Sequence, residues 1–394
     1  MPKLAIKEDC TGCTACAAAC PKDCITMTAD EKGFLRPVLQ LDHCVSCGLC
    51  EKSCPVKTKR KISNNDPKAY AAYATDTTVR LQSSSGGIFT EIAKEVLAEG
   101  GVVFGAAYRE QFDVVHVCVE TEKDLAELRG AKYAQSNLCG ILPEVKARLD
   151  AGQPVLFSGT PCQVAGLKAY LMKEYANLLT VDCVCHSVPS PSVWREYVKY
   201  RAALDEKSEL PSMINLRSKE TGWSRYQYSN VFGYADGTSY AVKSNESLYM
   251  KLFVGGYISR ESCAQCSFKG YQRISDLTLG DFWGIWNIAP EMDDDQGTSL
   301  VLVQSEKGQR YFDAIRDSLH IKQVTLEQAS RENPAILVSF PQKDNREVLM
   351  NAICTEGFHR AETFLPKTSP LSLLSRLKRK LTRMLLKNTQ ETEG

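Results

Sequence analysis

Eight cysteines near the N-terminus constrain this chain more than any other feature. Cys10, Cys13, Cys16 and Cys20 follow the spacing C-x-x-C-x-x-C-x-x-x-C, and Cys44, Cys47, Cys50 and Cys54 repeat it 34 residues later. Each run ends in Cys-Pro, at Pro21 and Pro55. Two intervening residues let a tight loop aim successive sulfurs at adjacent irons, and the proline then turns the chain away. In this bacterial ferredoxin pattern three thiolates of one run bind a cubane, and the fourth crosses to the other. The expected ligand sets are Cys10, Cys13, Cys16 and Cys54 for one 4Fe-4S cluster, and Cys44, Cys47, Cys50 and Cys20 for the second. Zinc sites take close Cys pairs, not quartets ending in Cys-Pro. Disulfides need an oxidising compartment, and Met1 to Asp9 holds no apolar signal-peptide core. Cys24 has no place in the pattern and reads as a packed free thiol.

At 394 residues there is length for two or three domains with sizeable cores. A net charge of +1 gives no case for nucleic-acid binding. No apolar run is long enough to span a bilayer. Seventeen cysteines without a secretory signal imply a reducing cytoplasm and thiols committed to metal. In the tail, Leu374, Leu377, Leu381, Met384 and Leu385 recur at helical spacing among Arg376, Lys378, Arg379, Lys380, Arg383 and Lys387. Such a basic amphipathic helix suits peripheral contact with an anionic membrane as well as it suits a docked terminal helix.

The basic stretch Lys57 to Lys61 and the turn-rich Ser63 to Pro67 mark a boundary after residue 60. Beyond it the pattern is α/β. Ser83-Ser84-Ser85-Gly86-Gly87 runs into a helical stretch from Ile88 to Leu97, either as a phosphate-binding helix start or as an ordinary helix capped by Ser85. Val102 to Ala107 and Val114 to Val119 read as strands, with His116 and Cys118 packed on one face. A helix is expected from Ile141 to Leu149. Pro154 to Ser158 and Leu178 to Cys185 are buried-type strands that break at Gly159-Thr160-Pro161-Cys162 and at His186, before helices Val164 to Leu171 and Val193 to Ala203. Sites in such sheets gather at the carboxyl ends of strands, which puts Cys162 and Cys185 where ligands are useful. Asp236-Gly237 signals a hairpin between Tyr228 and Val242. Ser299 to Val303 and a helix from about Glu306 to Leu319 close the globular part, and Met292 to Asp295 reads as a solvated loop. Cys263 and Cys266 form a lone C-x-x-C, which alone fits a zinc half-site, a redox dithiol or two cluster ligands.

Six motifs in order carry a resemblance: Ser84-Ser85-Gly86-Gly87-Ile88-Phe89, Lys132-Tyr133-Ala134-Gln135-Ser136, Gly159-Thr160-Pro161-Cys162-Gln163, Cys185-His186 with Pro189-Ser190-Pro191, Cys263 with Cys266, and Gly280-Asp281-Phe282-Trp283-Gly284. The chain resembles the coenzyme F-420 hydrogenase/dehydrogenase beta-subunit family, in a form fused to an N-terminal two-cluster ferredoxin. The resemblance implies FAD on the α/β domain and a third 4Fe-4S cluster at Cys162, Cys185, Cys263 and Cys266. It also implies that Ser85, Gly86, Gly87, Lys132, Gln135 and Ser136 approach the flavin, and that Asp281 and His186 act at the reacting centre. Two departures stand out: Cys183 occupies a usually apolar position two before Cys185, and Ser187 replaces the usual Gly. Two residues apart on a strand, Cys183 and Cys185 face the same way, so alternation cannot choose between them. His186 favours Cys185.

The expected fold class is therefore α/β: a small ferredoxin-like α+β module at 1–60, a flavin domain in two parts at 67–150 and 151–330, and a helical C-terminal region at 331–394. Clusters pass single electrons, organic substrates mostly take two, and a flavin converts between them. The expected function is an iron–sulfur flavoprotein oxidoreductase with a small organic substrate, a deazaflavin coenzyme being one such, and a ferredoxin or other redox protein as partner. The rival is a non-catalytic electron-transfer subunit serving a partner enzyme. A substrate pocket favours the first and a flat apolar surface the second. Residues 1–60 alone, reconstituted without oxygen, are expected to bind about eight irons, four per cubane; one cluster, or zinc in preference to iron, counts against the crossed quartets.

Overall fold

The computed structural model describes residues 2–58, 66–224 and 227–365. The basic tail and the membrane contact assigned to it fall outside these residues. Among them no helix is long and apolar enough to cross a membrane.

In the N-terminal module, helices α1 (Ala15–Ala18) and α2 (Leu49–Lys52) flank a hairpin of β1 (Ile25–Ala29) and β2 (Leu35–Leu39). After it come β3 (Lys68–Ala74), α3 (Thr77–Gln82), α4 (Ile88–Ala98), β4 (Val102–Tyr108), β5 (Val114–Val119), α5 (Leu125–Leu128), α6 (Ile141–Asp150), β6 (Val155–Gly159), α7 (Pro161–Leu171), β7 (Leu178–Cys183) and α8 (Pro191–Leu204). Strands β8 (Met213–Ser218), β9 (Ser229–Gly233) and β10 (Ser239–Lys243), then α9 (Leu248–Val254), lead to β11 (Leu277–Asp281), β12 (Ser299–Val303) and β13 (Leu319–Val324).

Eight strands form one sheet in the order β13-β3-β12-β11-β7-β6-β4-β5. Its centre, β11-β7-β6-β4, is parallel, and the outer pairings are antiparallel. The parallel strands are buried on both faces, which is why Val155-Leu-Phe157 and Leu178-Leu-Thr-Val181 are unbroken apolar runs with one threonine. Asp276 clamps the start of β11 to β7, its carboxylate accepting from the Thr180 amide at 2.8 Å and hydroxyl at 2.7 Å. Because these strands run the same way, Tyr108, Gly159, Cys183 and Asp281 end on one side of the sheet.

Four local expectations are corrected. Helix α4 is capped by Gly87 in the left-handed region (φ 89°), not by Ser85. The strand that leads to Cys185 ends at Cys183. The helix from Glu306 stops at Ala314, and its supposed last turn is a short 3-10 turn leading into edge strand β13. Met292 to Asp295 is no mere solvated loop, since Asp294 accepts two bonds from Arg80 and Asp295 accepts from the Trp223 amide.

The N-terminal module is built into the larger domain. Ala15 and Cys13 share the core beneath β4 and β6 with α6 and α7, and Phe34 of the hairpin turn joins the core around α8. Gly166 on α7 makes the closest approach: a Cβ there would lie 2.7 Å from Cys13 Cβ and 2.9 Å from its sulfur. Gly166→Ala is therefore expected to cost about 1–3 kcal/mol by overpacking, read as a lowered Tm with iron lost from the adjoining cysteines; unchanged Tm and iron would argue that the module sits more loosely.

Candidate iron–sulfur and flavin sites

Helices α1 and α2 decide how the eight N-terminal cysteines divide. Cys16 lies in α1 and Cys20 just beyond it; Cys50 lies in α2 and Cys54 just beyond. Each short helix thus hands its run from one hollow to the next. Cys10, Cys13, Cys16 and Cys54 line one hollow of about 390 Å³ measured to its mouth. Cys20, Cys44, Cys47 and Cys50 line another of about 340 Å³, together with Cys24. Cys24 is buried, and its amide donates to the Cys20 sulfur at 3.2 Å.

A third hollow, about 420 Å³ by the same measure, is lined by Cys162, Cys185, Cys263 and Cys266. Local chemistry explains the convergence. Thr160 and Gln163 form a capping box with Pro161 in the first turn, so α7 starts at Pro161 and holds Cys162 at its positive end. The Thr160 hydroxyl lies 3.2 Å from the Cys162 sulfur. Past β7 the chain is pinned to the segment before Cys263 by a bridge between Pro189 and Ser259 and by the Arg260 amide donating to Val188 O at 2.9 Å. Cys185 and Cys263 are thereby brought to one place, and the Cys266 amide is held by Ser339 Oγ at 2.9 Å. Cys183 is exposed and lines only the neighbouring cleft.

Among the described residues no three His, Cys, Asp or Glu side chains are grouped to hold a single metal ion. The thiols instead line three separate hollows, four of them named above for each, the number of ligands a cubane takes. Burial pushes Cys13 up to about 11 and Cys263 to about 12, and raises Cys162 and Cys266; Cys185 is raised first by its neighbour Cys183 and then by burial.

The carboxyl ends of the parallel strands open into a cleft whose solvent-sized interior, about 650 Å³, lies within the roughly 300–1,000 Å³ usual for cofactor and ligand sites. Ser85 and Gly87, Lys132, Ser136, His186 and Asp281 line it. Gly86 does not; its amide donates to Ser299 Oγ at 2.8 Å, and a Cβ would lie 2.4 Å from Ala72 O, so it seats the loop on the sheet. Gln135 turns away from the cleft, donating to Thr11 O at 2.9 Å and accepting from Arg260 at 2.8 Å. Lys132 donates to the carbonyls of Glu127 and Arg129, and burial lowers its amine to about 7. His186 packs against Phe253 and Phe340, and burial holds it neutral, down to about 4. Burial raises the Asp281 carboxyl against the opposing pull of Arg217, with which it pairs at 2.8 Å. His116 lines the cleft wall while stacked on Phe157, its Nε2 2.9 Å from Ser158 O.

Sequence reasoning missed Arg217. It is buried, donates to Ser84 O, and lies over Tyr228 at 4.0 Å and Trp283 at 5.2 Å. No local pattern marks it, because its partners lie far away in sequence.

These sites define an iron–sulfur protein of an oxidoreductase family. The family models for the N-terminal and C-terminal parts of the coenzyme F420 hydrogenase/dehydrogenase beta subunit match residues 69–143 and 152–329, and a 4Fe-4S dicluster domain matches 9–58. The chain belongs to the coenzyme F420 hydrogenase/dehydrogenase beta-subunit family and carries a ferredoxin-type 4Fe-4S module. It is 24% identical over 345 residues to a subunit of the F(420)H(2) dehydrogenase of Methanosarcina mazei, covering 81% of this chain and 87% of that protein. A stretch of 66 residues is 38% identical to an iron–sulfur subunit of the CoB–CoM heterodisulfide reductase of Methanocaldococcus jannaschii, covering 14% of this chain and 10% of that one. A chain of the F420-reducing [NiFe] hydrogenase complex of Methanosarcina barkeri superposes with a TM-score of 0.47 at 17% identity, over 76% of this chain and 90% of that one.

Cys266→Ala is expected to lower iron by about four atoms per chain, while Cys183→Ala leaves iron unchanged. Metal and sulfide analysis of anaerobically purified full-length protein decides it, and equal loss in both variants would reassign the fourth ligand.

Proposed function

We propose that this chain is a flavin-dependent iron–sulfur oxidoreductase holding three 4Fe-4S clusters and FAD, which exchanges electrons between a redox partner protein and a small two-electron substrate. One observation carries the reading: Cys185, His186, Ser187 and Val188 line both the third thiol hollow and the large cleft. A single four-residue wall separates the two sites, as one-electron transfer into a flavin requires. Thr11 likewise lines both the third hollow and that of Cys10, Cys13, Cys16 and Cys54, which extends the series into the N-terminal module.

When bound, the clusters supply single-electron transfer and the flavin supplies its conversion to hydride chemistry. The chain's own part is placement. Ser85, Gly87 and the start of α4 offer backbone amides and the positive end of a helix to phosphate groups. Lys132 supplies a cation to them, and Arg217, fixed by Asp281, supplies another beside Tyr228 and Trp283. Asp281 is thus a positioning partner for Arg217, and neutral His186 closes the wall toward the cluster. A deep cleft in place of a flat surface favours an enzyme over a simple relay. A deazaflavin coenzyme is the substrate class suggested by the name of the M. mazei relative.

The test is anaerobic purification with analysis for about twelve irons and one FAD per chain; a folded chain without flavin, or with iron only in the N-terminal module, overturns the reading. Lys132 gives a finer check. A phosphate beside its amine raises the amine pKa from about 7, so flavin binding takes up a proton above that pH. Flavin affinity of the deflavinated protein is expected to fall as pH rises from about 7 to about 8, by at most about tenfold per unit. In Lys132→Met the fall disappears; a slope that survives the change would remove Lys132 from phosphate binding.

A further inference from the structure

Arg260 is fully buried, with none of its surface exposed, where the N-terminal module meets the larger domain. Its Nε donates to Cys10 O at 2.7 Å, Nη1 to Gln135 Oε1 at 2.8 Å and Nη2 to Leu35 O at 2.9 Å. Nη2 also lies 3.6 Å from the Cys10 sulfur, and the guanidinium sits 5.3 Å over the Phe34 ring. The same side chain lines the hollow of Cys162, Cys185, Cys263 and Cys266. Its neighbour Glu261 is turned to Arg36 and Arg346, and every acceptor bonded to Arg260 is a neutral oxygen or a thiol sulfur.

A buried guanidinium without a carboxylate is costly unless negative charge lies nearby. The groups placed to supply it are the contents of the two thiol hollows, since a thiolate-bound cluster is anionic and becomes more so on reduction. Cluster potential is set by net charge, hydrogen bonds to sulfur and exposure; Arg260 brings its charge to both hollows and a hydrogen bond to sulfur at that of Cys10. Lys269 and Arg273 add cations to the third hollow, and no carboxylate lines it. The hollow of Cys20, Cys44, Cys47 and Cys50 has no buried cation in its wall; its one lining cation, Lys22, is exposed.

Resting on the three-cluster reading above, we propose that Arg260 is a positioning residue that raises the reduction potentials of the two clusters flanking it and so holds the transferred electron at the joint between the module and the flavin domain. Gly12 fits this role, because a Cβ there would lie 2.7 Å from Arg260 Nη1. The chain gives up a side chain so that the charge can approach Cys10.

The experiment is a redox titration of the full-length, anaerobically purified protein followed by electron paramagnetic resonance, with iron and sulfide measured on every sample. In Arg260→Gln two of the three cluster potentials are expected to shift to more negative values, while the third, that of Cys20, Cys44, Cys47 and Cys50, serves as an internal reference and stays put. Arg260→Lys keeps the charge and most of the potential. Gln135→Glu sets a carboxylate against the same guanidinium and is expected to shift the same two clusters in the same direction with Arg260 still present. Unchanged potentials, an equal shift of all three, or a lysine variant that shifts as far as the glutamine variant would overturn the proposal. Loss of iron from the flanking sites in both Arg260→Gln and Gln135→Glu would make Arg260 a structural clamp and also overturn it. Absence of three clusters from the unmodified chain would instead strike the three-cluster reading itself, so the two failures are distinguishable.

Discussion

Gathering twelve thiols, all but Cys47 at least partly buried, around three hollows is the constraint to which the rest of the structure answers. Burial pushes several of them up, Cys13 to about 11 and Cys263 to about 12. Iron binding must remove their protons, and the metal's charge then stabilises thiolates that the protein alone would not tolerate. The free energy of cluster insertion is thereby also folding free energy for the segments that carry the ligands. Cys185, Cys263 and Cys266 sit largely on irregular backbone, held by a few bonds such as Arg260 N to Val188 O. The cluster proposed for their hollow would supply what regular secondary structure does not.

The parallel sheet does the complementary work. Buried from both faces, β6, β7 and β11 are rigid, and the site residues are offered from their ends. Cys162 follows β6, Cys185 follows β7, and Asp281 closes β11. One fold feature therefore brings Cys162 and Cys185 to the third thiol hollow on one side of a thin wall and lines the cleft on the other.

The parts legible in the sequence were those whose signal is local. Cysteine spacing marked the two runs whose thiols line the N-terminal hollows, and the apolar runs with the small-residue breaks after them marked β6, α7, β7 and α8. Strand β13 was missed because it is an edge strand with His320, Lys322 and Gln323 exposed, and its buried first residue, Leu319, reads as the end of the preceding amphipathic helix. Strand β3 was missed because Lys68-Ala-Tyr-Ala-Ala-Tyr-Ala74 has helix-forming composition, overridden by pairing on both sides with β12 and β13. Alternation could not tell Cys183 from Cys185, because it puts both on one face; the strand ends at Cys183, so Cys185 lies beyond it. Arg217 and Arg260 left no local trace at all. Their roles depend on Asp281, Tyr228, Cys10 and Gln135, all distant in sequence.

The contact between Gly166 and Cys13 has a consequence for how such a protein exchanges electrons with its surroundings. A ferredoxin module on a tether can swing between donor and acceptor, and its turnover is then limited by the rate of search. A module seated against the bare backbone of a helix, with Phe34 and Ala15 sunk into its neighbour's cores, has no such freedom. In the proposed electron-transfer role the interior pathway is a fixed conduit with two terminals, the exposed thiol of Cys47 at one end and the cleft mouth at the other. Encounter kinetics and vulnerability to oxygen are then concentrated at those terminals, while the joint between the module and the larger domain is shielded from both.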